Sequence, residues 1–382
     1  MAWTIPLSDL DYDVREEQAV QAVLASRWLT MGPQTAAFEH AFAAAHAGAH
    51  AVAVSSGTAA LYLALRSLGV GPGHEVVLPS LTFVATAHAV LQCGAVPVLA
   101  DVTSIESPLL DPADVARKIT PATRALLPVH YGGALCDMPA LRSLADAHGL
   151  VVVEDAAHAA GTPGVGELSD AACFSFYANK NLATGEGGMV LTPHGEVAES
   201  CRRLRSHGRS VSSHDKALGN ASNDDVSEVG VHARLTEMQA ALGCVQLEKL
   251  PAGNARRRVL RRLYAQLLGH AVTIPLAGTE EHSSCHLMVV VLPEGCDRER
   301  VRESLGADGI QTSVHYPPIH EFTAFSGDVC ERAGTLPVTE ELAPRLLTLP
   351  LHTRLTDAQV ERVTDRLLEA LSEVTRPASS AT

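Results

Sequence analysis

Three short elements contain residue types that could act together on a small molecule. Lys180 lies between the apolar run CFSF and the glycine-rich turn GEGG. A lysine that is partly removed from water can become a neutral nucleophile and form an imine. Asp155 ends an apolar run, where a carboxylate is costly unless it meets a cation or strong donors. Gly57 and Thr58 open a helix whose free N–H groups suit an anion such as phosphate.

Each element also has an ordinary structural interpretation. Most lysines are exposed loop residues, and a serine or threonine before a helix often only caps it. An aspartate at the end of a strand can likewise cap the helix that follows. His158, close to Asp155, is by type more often a structural histidine than a catalytic one. None of the elements identifies a site by itself.

Together, a phosphate cradle, a buried anion and an amine form the set that pyridoxal phosphate requires. The ring of this cofactor acts as an electron sink only while its pyridinium nitrogen stays protonated, and a nearby anion favours that state. The amine can form a Schiff base with the aldehyde. The three elements therefore predict a pyridoxal phosphate site.

The strands and helices that must position these residues are predicted to form an α/β domain. Seven apolar runs between residues 50 and 192 predict strands: AVAV, EVVL, PVLA, RALLPV, LVVV, ACFSF and GMVLT. Helical segments such as TAALYLALRSLG (58–69) and DMPALRSLADAHG (137–149) separate several of them, which favours a mostly parallel sheet covered on both faces. Functional groups are then expected at the carboxyl ends of the strands.

A second, smaller α+β domain is predicted after residue 250. Thr236 and Gln239 form a capping box for a helix that is expected to end near Pro251, which places the boundary between residues 1–250 and 251–382. The following arginine-rich helix reads as a solvated face. Strands are expected in LMVVVLP (287–293) and GIQTSVHY (309–316), and a last helix begins at a second capping box of Thr356 and Gln359.

Composition excludes several classes of protein. The net charge of −14 opposes binding to nucleic acid and to anionic membranes. The eight cysteines are widely spaced without zinc-binding patterns, so we expect reduced thiols and no metal site. The N-terminus lacks the apolar segment of a signal peptide, and no stretch has the apolar length of a membrane span. A cytoplasmic protein is expected.

Motifs along nearly the whole chain resemble the DegT/DnrJ/StrS sugar aminotransferases of the type I pyridoxal phosphate fold. They occur in the order SRWLTMGPQTAAFE, SSGTAAL, PSLTFVATAHAV, PVHYGG, VVEDAAHAAG, FSFYANKNLATGEGG, RLTEMQAALGCVQLEKL, HYPPIH and LLTLPLH. Many consecutive motifs in the right order make the resemblance specific. It implies a seven-stranded, mostly parallel sheet in a large domain with a smaller C-terminal domain.

The resemblance also implies roles for individual residues. Lys180 matches the Schiff-base lysine that shuttles the proton, and Asp155 matches the partner of the pyridine nitrogen. His158 falls where the family has Gln or His near the ring hydroxyl, and Phe83 where an aromatic residue stacks on the ring. The residues that match groups at the phosphate are Gly57, Thr58 and Ser175.

Two further segments concern the phosphate and the substrate. The family pattern GxNxR appears at 230–234 with His232 in place of Asn, whose role in the family is to reach the phosphate of the neighbouring subunit. His232 can still donate a hydrogen bond, or it can simply fill space. In HYPPIH, His315 and Tyr316 are candidates for substrate contacts, whereas the two prolines favour a structural role for His320.

The resemblance implies transfer of an amino group, with glutamate as the expected donor, to a nucleotide-linked keto sugar or a cyclitol ketone. A homodimer with shared active sites is also implied. Two alternatives remain open. A sugar dehydratase of the same family carries His at the lysine position, so Lys180 counts against it. The second alternative is a regulatory or binding protein that keeps the fold but does not catalyse a reaction. The replacement of the family's Asn by His232 gives this alternative some weight.

Overall fold

A seven-stranded sheet is the centre of the large domain. The computed structural model describes residues 3–46, 50–210, 219, 225–327 and 334–374. Within these ranges the sheet has the order β1-β7-β6-β5-β4-β2-β3. Its strands are β1 (His50–Val54), β2 (Glu75–Pro79), β3 (Val96–Ala100), β4 (Thr123–Leu126), β5 (Val151–Asp155), β6 (Ala171–Ser175) and β7 (Gly188–Thr192). Only β7 runs antiparallel to its neighbours β1 and β6. The seven strands and the mostly parallel sheet expected from the sequence are confirmed.

Helices cover both faces of this sheet. They are α1 (Val14–Ser26), α2 (Pro33–Ala45), α3 (Gly57–Ser67), α4 (Ala85–Gln92), α5 (Pro112–Lys118), α6 (Met138–His148), α7 (Gly195–Leu204) and α8 (Glu237–Leu268). Strand β1 shows why: Val52 and Val54 pack into the core under α3, while Ala51 and Ala53 pack on the opposite side against α2. Successive side chains of a strand point to opposite faces, so a strand buried on both reads as a continuous apolar run.

Helix α8 does not end at Pro251 as the sequence suggested. It continues to Leu268 with the proline inside it. A proline removes one backbone N–H and kinks a helix, but contacts on both sides of that point hold α8 together. The arginine-rich stretch after Pro251 is not simply a solvated face either. Arg257 and Arg261 are each 5% exposed and donate to backbone carbonyls of the C-terminal segment.

The C-terminal part contains a two-stranded antiparallel sheet. Strands β8 (Met288–Val291) and β9 (Leu346–Leu349) form it, with helices α9 (Arg298–Ala307), α10 (Pro337–Leu342) and α11 (Asp357–Val374) nearby. The prediction of a strand at 309–316 is wrong. Within this segment, only Ser313 exchanges backbone hydrogen bonds with β9, and its partner there is Thr348. Pro317 and Pro318 lack the N–H groups that would extend this ladder. The partner of β8 is β9, which was not predicted.

The predicted cap of the last helix is present. The Oγ1 atom of Thr356 accepts from the backbone N–H of Gln359, whose side chain accepts from the backbone N–H of Thr356. The predicted apolar stripe of this helix is buried at Val360, Val363, Leu367 and Leu371. The division into residues 1–250 and 251–382 stays a prediction, and its boundary falls inside α8.

Two observations concern membranes and thiols. No helix in the described ranges combines the length and apolar character needed to cross a bilayer. Seven cysteines in those ranges are free thiols. Cys330, the eighth, lies outside the described residues.

Candidate active site

One cavity of about 320 Å³ lies at the carboxyl edge of the parallel strands. Residues that follow β1, β5 and β6 meet there with part of the C-terminal segment. It is lined by Ser56, Gly57, Thr58, Leu61, Thr82, Phe83, Ala85, Val129, Asp155, Ala157, His158, Ser175, Tyr177, Asn179, Lys180, Glu186, His315 and Tyr316. Every residue proposed from the sequence for cofactor or substrate therefore lines it, with the single exception of His232.

Lys180 reaches this cavity from the turn after β6. Its backbone N–H donates to the carbonyl of Tyr177 at 2.9 Å, which closes the turn. Burial lowers the pKa of the amine from 10.5 to about 8, and the nearby Asp155 carboxylate opposes this effect without cancelling it. About one tenth of the Lys180 amine is therefore a neutral nucleophile at pH 7, and about half of it at pH 8.

Asp155 ends β5 and is 6% exposed. Its Oδ2 accepts from the hydroxyl of Thr86 at 2.8 Å, and Oδ1 accepts from the backbone N–H of Ala157 at 3.1 Å. Burial raises the pKa of this carboxyl, although these donors and Lys180 act in the other direction. A cation bound against Asp155 would stabilise its charged form. The contact with Thr86 was not predicted, because nothing in the sequence around residue 86 indicates that it lies beside β5.

The first turn of α3 faces the same cavity. The hydroxyl of Ser56 accepts from the N–H of Ala59 and its carbonyl accepts from that of Ala60. Among the described residues, the N–H groups of Gly57 and Thr58 have no protein acceptor. A Cβ at Gly57 would lie 2.8 Å from the Cβ of Ser175, so only glycine allows this close approach. The turn therefore offers free donors to an anion, with a serine beside them.

Aromatic and imidazole groups form another part of the lining. His158 accepts from the backbone N–H of Gly132 at Nδ1, and its Nε2 lies 2.8 Å from the hydroxyl of Tyr316. The Tyr316 ring lies 5.7 Å from that of Phe83, which is 55% exposed. Burial lowers the pKa of His158 well below its usual value, and the positive charge of Lys180 adds to the effect. This part of the lining is therefore neutral.

The remaining histidines differ in location. His315 lines the cavity, and its Nδ1 lies 2.9 Å from the hydroxyl of Thr348. Burial and then the charge of Lys180 lower its pKa to about 4. His320 lies outside the cavity, 2.7 Å from the hydroxyl of Ser80 through Nδ1. His232 is exposed on the protein surface, where it pairs with Ser206 through the backbone.

Among the described residues, no group of three or more His, Cys, Asp or Glu side chains is placed to hold a metal ion. Several polar residues near the cavity were not predicted as site residues: Asn179, Asn181, Glu186 and His286. The two asparagines and Glu186 flank Lys180 in the chain, and that position was the only available signal for them. His286 comes from a distant segment.

Comparison with known proteins identifies the class to which this fold and site belong. A sequence model of the DegT/DnrJ/EryC1/StrS aminotransferase family matches residues 11–368. The chain therefore belongs to this family and is a pyridoxal phosphate-dependent aminotransferase.

Solved structures agree over nearly the full length. S. venezuelae DesV, in complex with a ketimine intermediate, is 38% identical, with 99% of this chain and 100% of that chain aligned at a TM-score of 0.88. The aminotransferase TlmJ from Streptoalloteichus hindustanus is 34% identical over 98% of this chain and 100% of its own, also at 0.88. A protein of Streptococcus pneumoniae, described as a sugar aminotransferase in its pyridoxal phosphate form, is 29% identical over 97% and 100% at 0.88.

Pyridoxal phosphate is the cofactor, and the residues present fit it. Asp155 is buried with its pKa raised, which a protonated ring nitrogen would reverse. Gly57 approaches Ser175 closely at the α3 turn, where the N–H groups of Gly57 and Thr58 have no acceptor among the described residues and could bind a phosphate. Lys180 supplies an amine whose pKa is already lowered to about 8. Each part of the cofactor thus has a chemically matched group in one cavity.

Proposed function

We propose that this aminotransferase moves the amino group of an amino acid onto a nucleotide-linked keto sugar or a related cyclic ketone, with glutamate as the expected donor. The observation that carries the proposal is the partly neutral amine of Lys180 facing Asp155 in one cavity. The solved relatives include a sugar aminotransferase that covers the chain almost completely, which supports a sugar as acceptor. Lysine at position 180, rather than histidine, favours amination over dehydration.

We propose specific residues as the cofactor's contacts. Asp155 would face the ring nitrogen, Phe83 would stack on the ring, and His158 would lie near the ring hydroxyl. Gly57, Thr58 and Ser175 would hold the phosphate through backbone N–H groups and hydroxyls. The bound cofactor supplies an electron sink that acidifies the carbon bearing the amino group.

Lys180 is proposed as the residue that moves protons. With its pKa lowered to about 8, Nζ can take up a proton from the α-carbon of the amino acid and give it up again in the same cavity. The burial that lowers the pKa of Lys180 also limits the access of water to the reacting atoms. His315 and Tyr316 line the same cavity, and we place the substrate beside them.

A homodimer is proposed to complete the site. The cavity contains one amine and two carboxylates, Lys180 with Asp155 and Glu186, while the cofactor and a nucleotide-linked sugar both bring phosphates. Additional donors from a second copy would balance this charge. His232 is exposed and does not line the cavity of its own subunit, which is consistent with a contact made across a subunit boundary.

Spectroscopy of the purified protein tests the assignment of Lys180. We expect visible absorption from the cofactor bound through Lys180, and its loss in Lys180→Ala. Lys118→Ala, on helix α5, is the control and keeps the band. An unchanged band in Lys180→Ala contradicts the assignment.

Substrate assays test the rest of the proposal. Glutamate should convert the pyridoxal form to the pyridoxamine form, and no conversion with any common amino acid would overturn the proposed half-reaction. Nucleotide-linked amino sugars and aminocyclitols, supplied in reverse, then identify the acceptor by which of them produces the same conversion.

A further inference from the structure

A chain of amide and imidazole groups behind Lys180 fixes the protonation state of His286. It starts at the backbone carbonyl of Ala160, which can only accept and takes a hydrogen bond from Nδ2 of Asn254 at 2.9 Å. Oδ1 of Asn254 therefore faces Asn181, whose Nδ2 donates to it at 2.8 Å and to the carbonyl of Ser284 at 2.8 Å. The amide of Asn181 is thus oriented by two acceptors.

The orientation of Asn181 determines the tautomer of His286. Because both donor bonds of its Nδ2 are used, Asn181 presents Oδ1 to the imidazole, and His286 Nδ1 lies 2.9 Å from that oxygen. Nδ1 must then carry the proton, and Nε2 is a bare lone pair with no partner among the described residues. His286 is 5% exposed, and its burial, with the charge of Lys180, lowers its pKa well below the usual value. It remains a neutral acceptor.

His158 has the opposite tautomer. It accepts at Nδ1 from the N–H of Gly132, so Nε2 carries its proton and donates to the hydroxyl of Tyr316. The ring centroids of His158 and His286 lie 4.6 Å apart. Two adjacent buried imidazoles therefore have different tasks: one donates to a protein group, and the other keeps an unused acceptor.

His286 lines a small side pocket that adjoins the active cavity. About 20 Å³ of it is open to the centre of a water-sized sphere, which is room for one water molecule. His315 and Asn179 line both spaces, so the pocket adjoins the main cavity. Ser8, which precedes α1, also lines the pocket.

We propose that this side pocket is a subsite for a single O–H group, which donates to Nε2 of His286. This acceptor is neutral, so it offers nothing to a phosphate or carboxylate. Lys180 already supplies a positive charge nearby, which disfavours a second cation. A water molecule or a hydroxyl group of the sugar has the matching size and donors. Asn181 and Asn254 are positioning residues for the subsite.

Occupation of the pocket by a sugar hydroxyl rests on the proposed function, whereas occupation by a water molecule does not. A high-resolution crystal structure of the holoenzyme decides the core of the proposal. We expect one oxygen within hydrogen-bond distance of His286 Nε2. Soaking with UDP-galactose and with dTDP-glucose separates the sources, because a sugar hydroxyl would replace that oxygen and a structural water would stay. A pocket that is empty in the unsoaked crystal overturns the proposal, whatever the outcome of the substrate assays.

Nitrogen NMR of histidine-labelled holoenzyme tests the tautomer independently. The expected spectrum has His286 protonated at Nδ1 and bare at Nε2 from pH 6 to 8, about the range around the ordinary histidine pKa. A protonated Nε2 would remove the acceptor and contradict the proposal. This result does not depend on any variant folding correctly.

Two substitutions separate the pocket from the positioning chain. His286→Asn keeps a donor toward Asn181 but removes the acceptor, so the pocket oxygen should be lost. His286→Gln offers an oxygen near the place of Nε2 but no donor near Nδ1, so the pocket oxygen should persist. If a substrate hydroxyl is the occupant, His286→Asn raises KM for the sugar about tenfold with a smaller change in kcat. Retention of the oxygen in His286→Asn, or its loss only in His286→Gln, contradicts the assignment.

Discussion

The lowered pKa of Lys180 predicts that this side chain destabilises the cofactor-free protein. Folding moves the amine into a partly dry cavity, which disfavours its charged form and takes its pKa from 10.5 to about 8. One pKa unit corresponds to about 1.4 kcal/mol, so the full fall corresponds to about 3 kcal/mol. Because Lys180 keeps some exposure to the cavity, we expect about 2 to 3 kcal/mol. Lys180→Met should be more stable than wild type by this amount at pH 7.

The dependence on pH has a definite sign. Below pH 8 the amine is charged in both the folded and the unfolded chain, so the whole cost is present. Between pH 8 and 10.5 the unfolded chain binds more protons than the folded chain, and the stability of wild type therefore rises with pH. Above 10.5 both states are neutral and the cost is gone. The advantage of Lys180→Met should shrink through this window.

Denaturant unfolding of cofactor-free protein, at equal protein concentration between pH 7 and 10.5, measures this difference. Comparing variants cancels the titration of other groups. Lys180→Arg is the matched control, since a guanidinium stays charged throughout the range. Wild type should gain stability relative to Lys180→Arg as the pH rises. A difference between wild type and Lys180→Met that stays constant with pH refutes the argument that burial lowers the pKa of this amine.

Three other substitutions test separate parts of the structure. Gly57→Ala places a Cβ 2.8 Å from that of Ser175, so pyridoxal phosphate affinity, followed by fluorescence titration, should fall about tenfold; equal affinity would show that the turn adapts freely. Thr86→Val removes a donor that favours ionised Asp155, so the acid limb of the pH profile of kcat/KM should move to higher pH, and an unmoved limb would contradict that role. Leu367→Ala in the buried stripe of α11 should cost about 2 to 5 kcal/mol in denaturant unfolding, whereas Leu24→Ala, at a residue 53% exposed, should cost far less.

The strands and the main site residues were predictable because their signals are local. A strand that is buried on both faces must be apolar at every position, and EVVL and GMVLT are such runs. Parallel strands place their carboxyl ends along one edge. The prediction of a mostly parallel sheet therefore placed Asp155, at the end of β5, and Lys180, after β6, at the same edge.

Features that depend on distant partners were not predictable in the same way. Pro251 is a correct local signal for a helix end, but the contacts made by Arg257 and Arg261 favour continuation of α8. Strand β9 has four residues and no alternation, so its pairing with β8 depends on the surrounding fold. Thr86 and His286 reach the site only through packing, because each comes from a segment with no local chemical motif.

The charges of the cavity explain how an acidic chain can bind a phosphorylated cofactor. Burial keeps His158 and His315 neutral, so they add no positive charge, and Asp155 adds a negative one. Neutralisation must therefore be local: with the contacts that we propose, the ring nitrogen would pair with Asp155, and the phosphate with N–H groups at the start of α3. Such placed donors act over a few ångströms and are screened little by salt, unlike a broad basic surface. The net charge of −14 and the binding of phosphate are thus compatible.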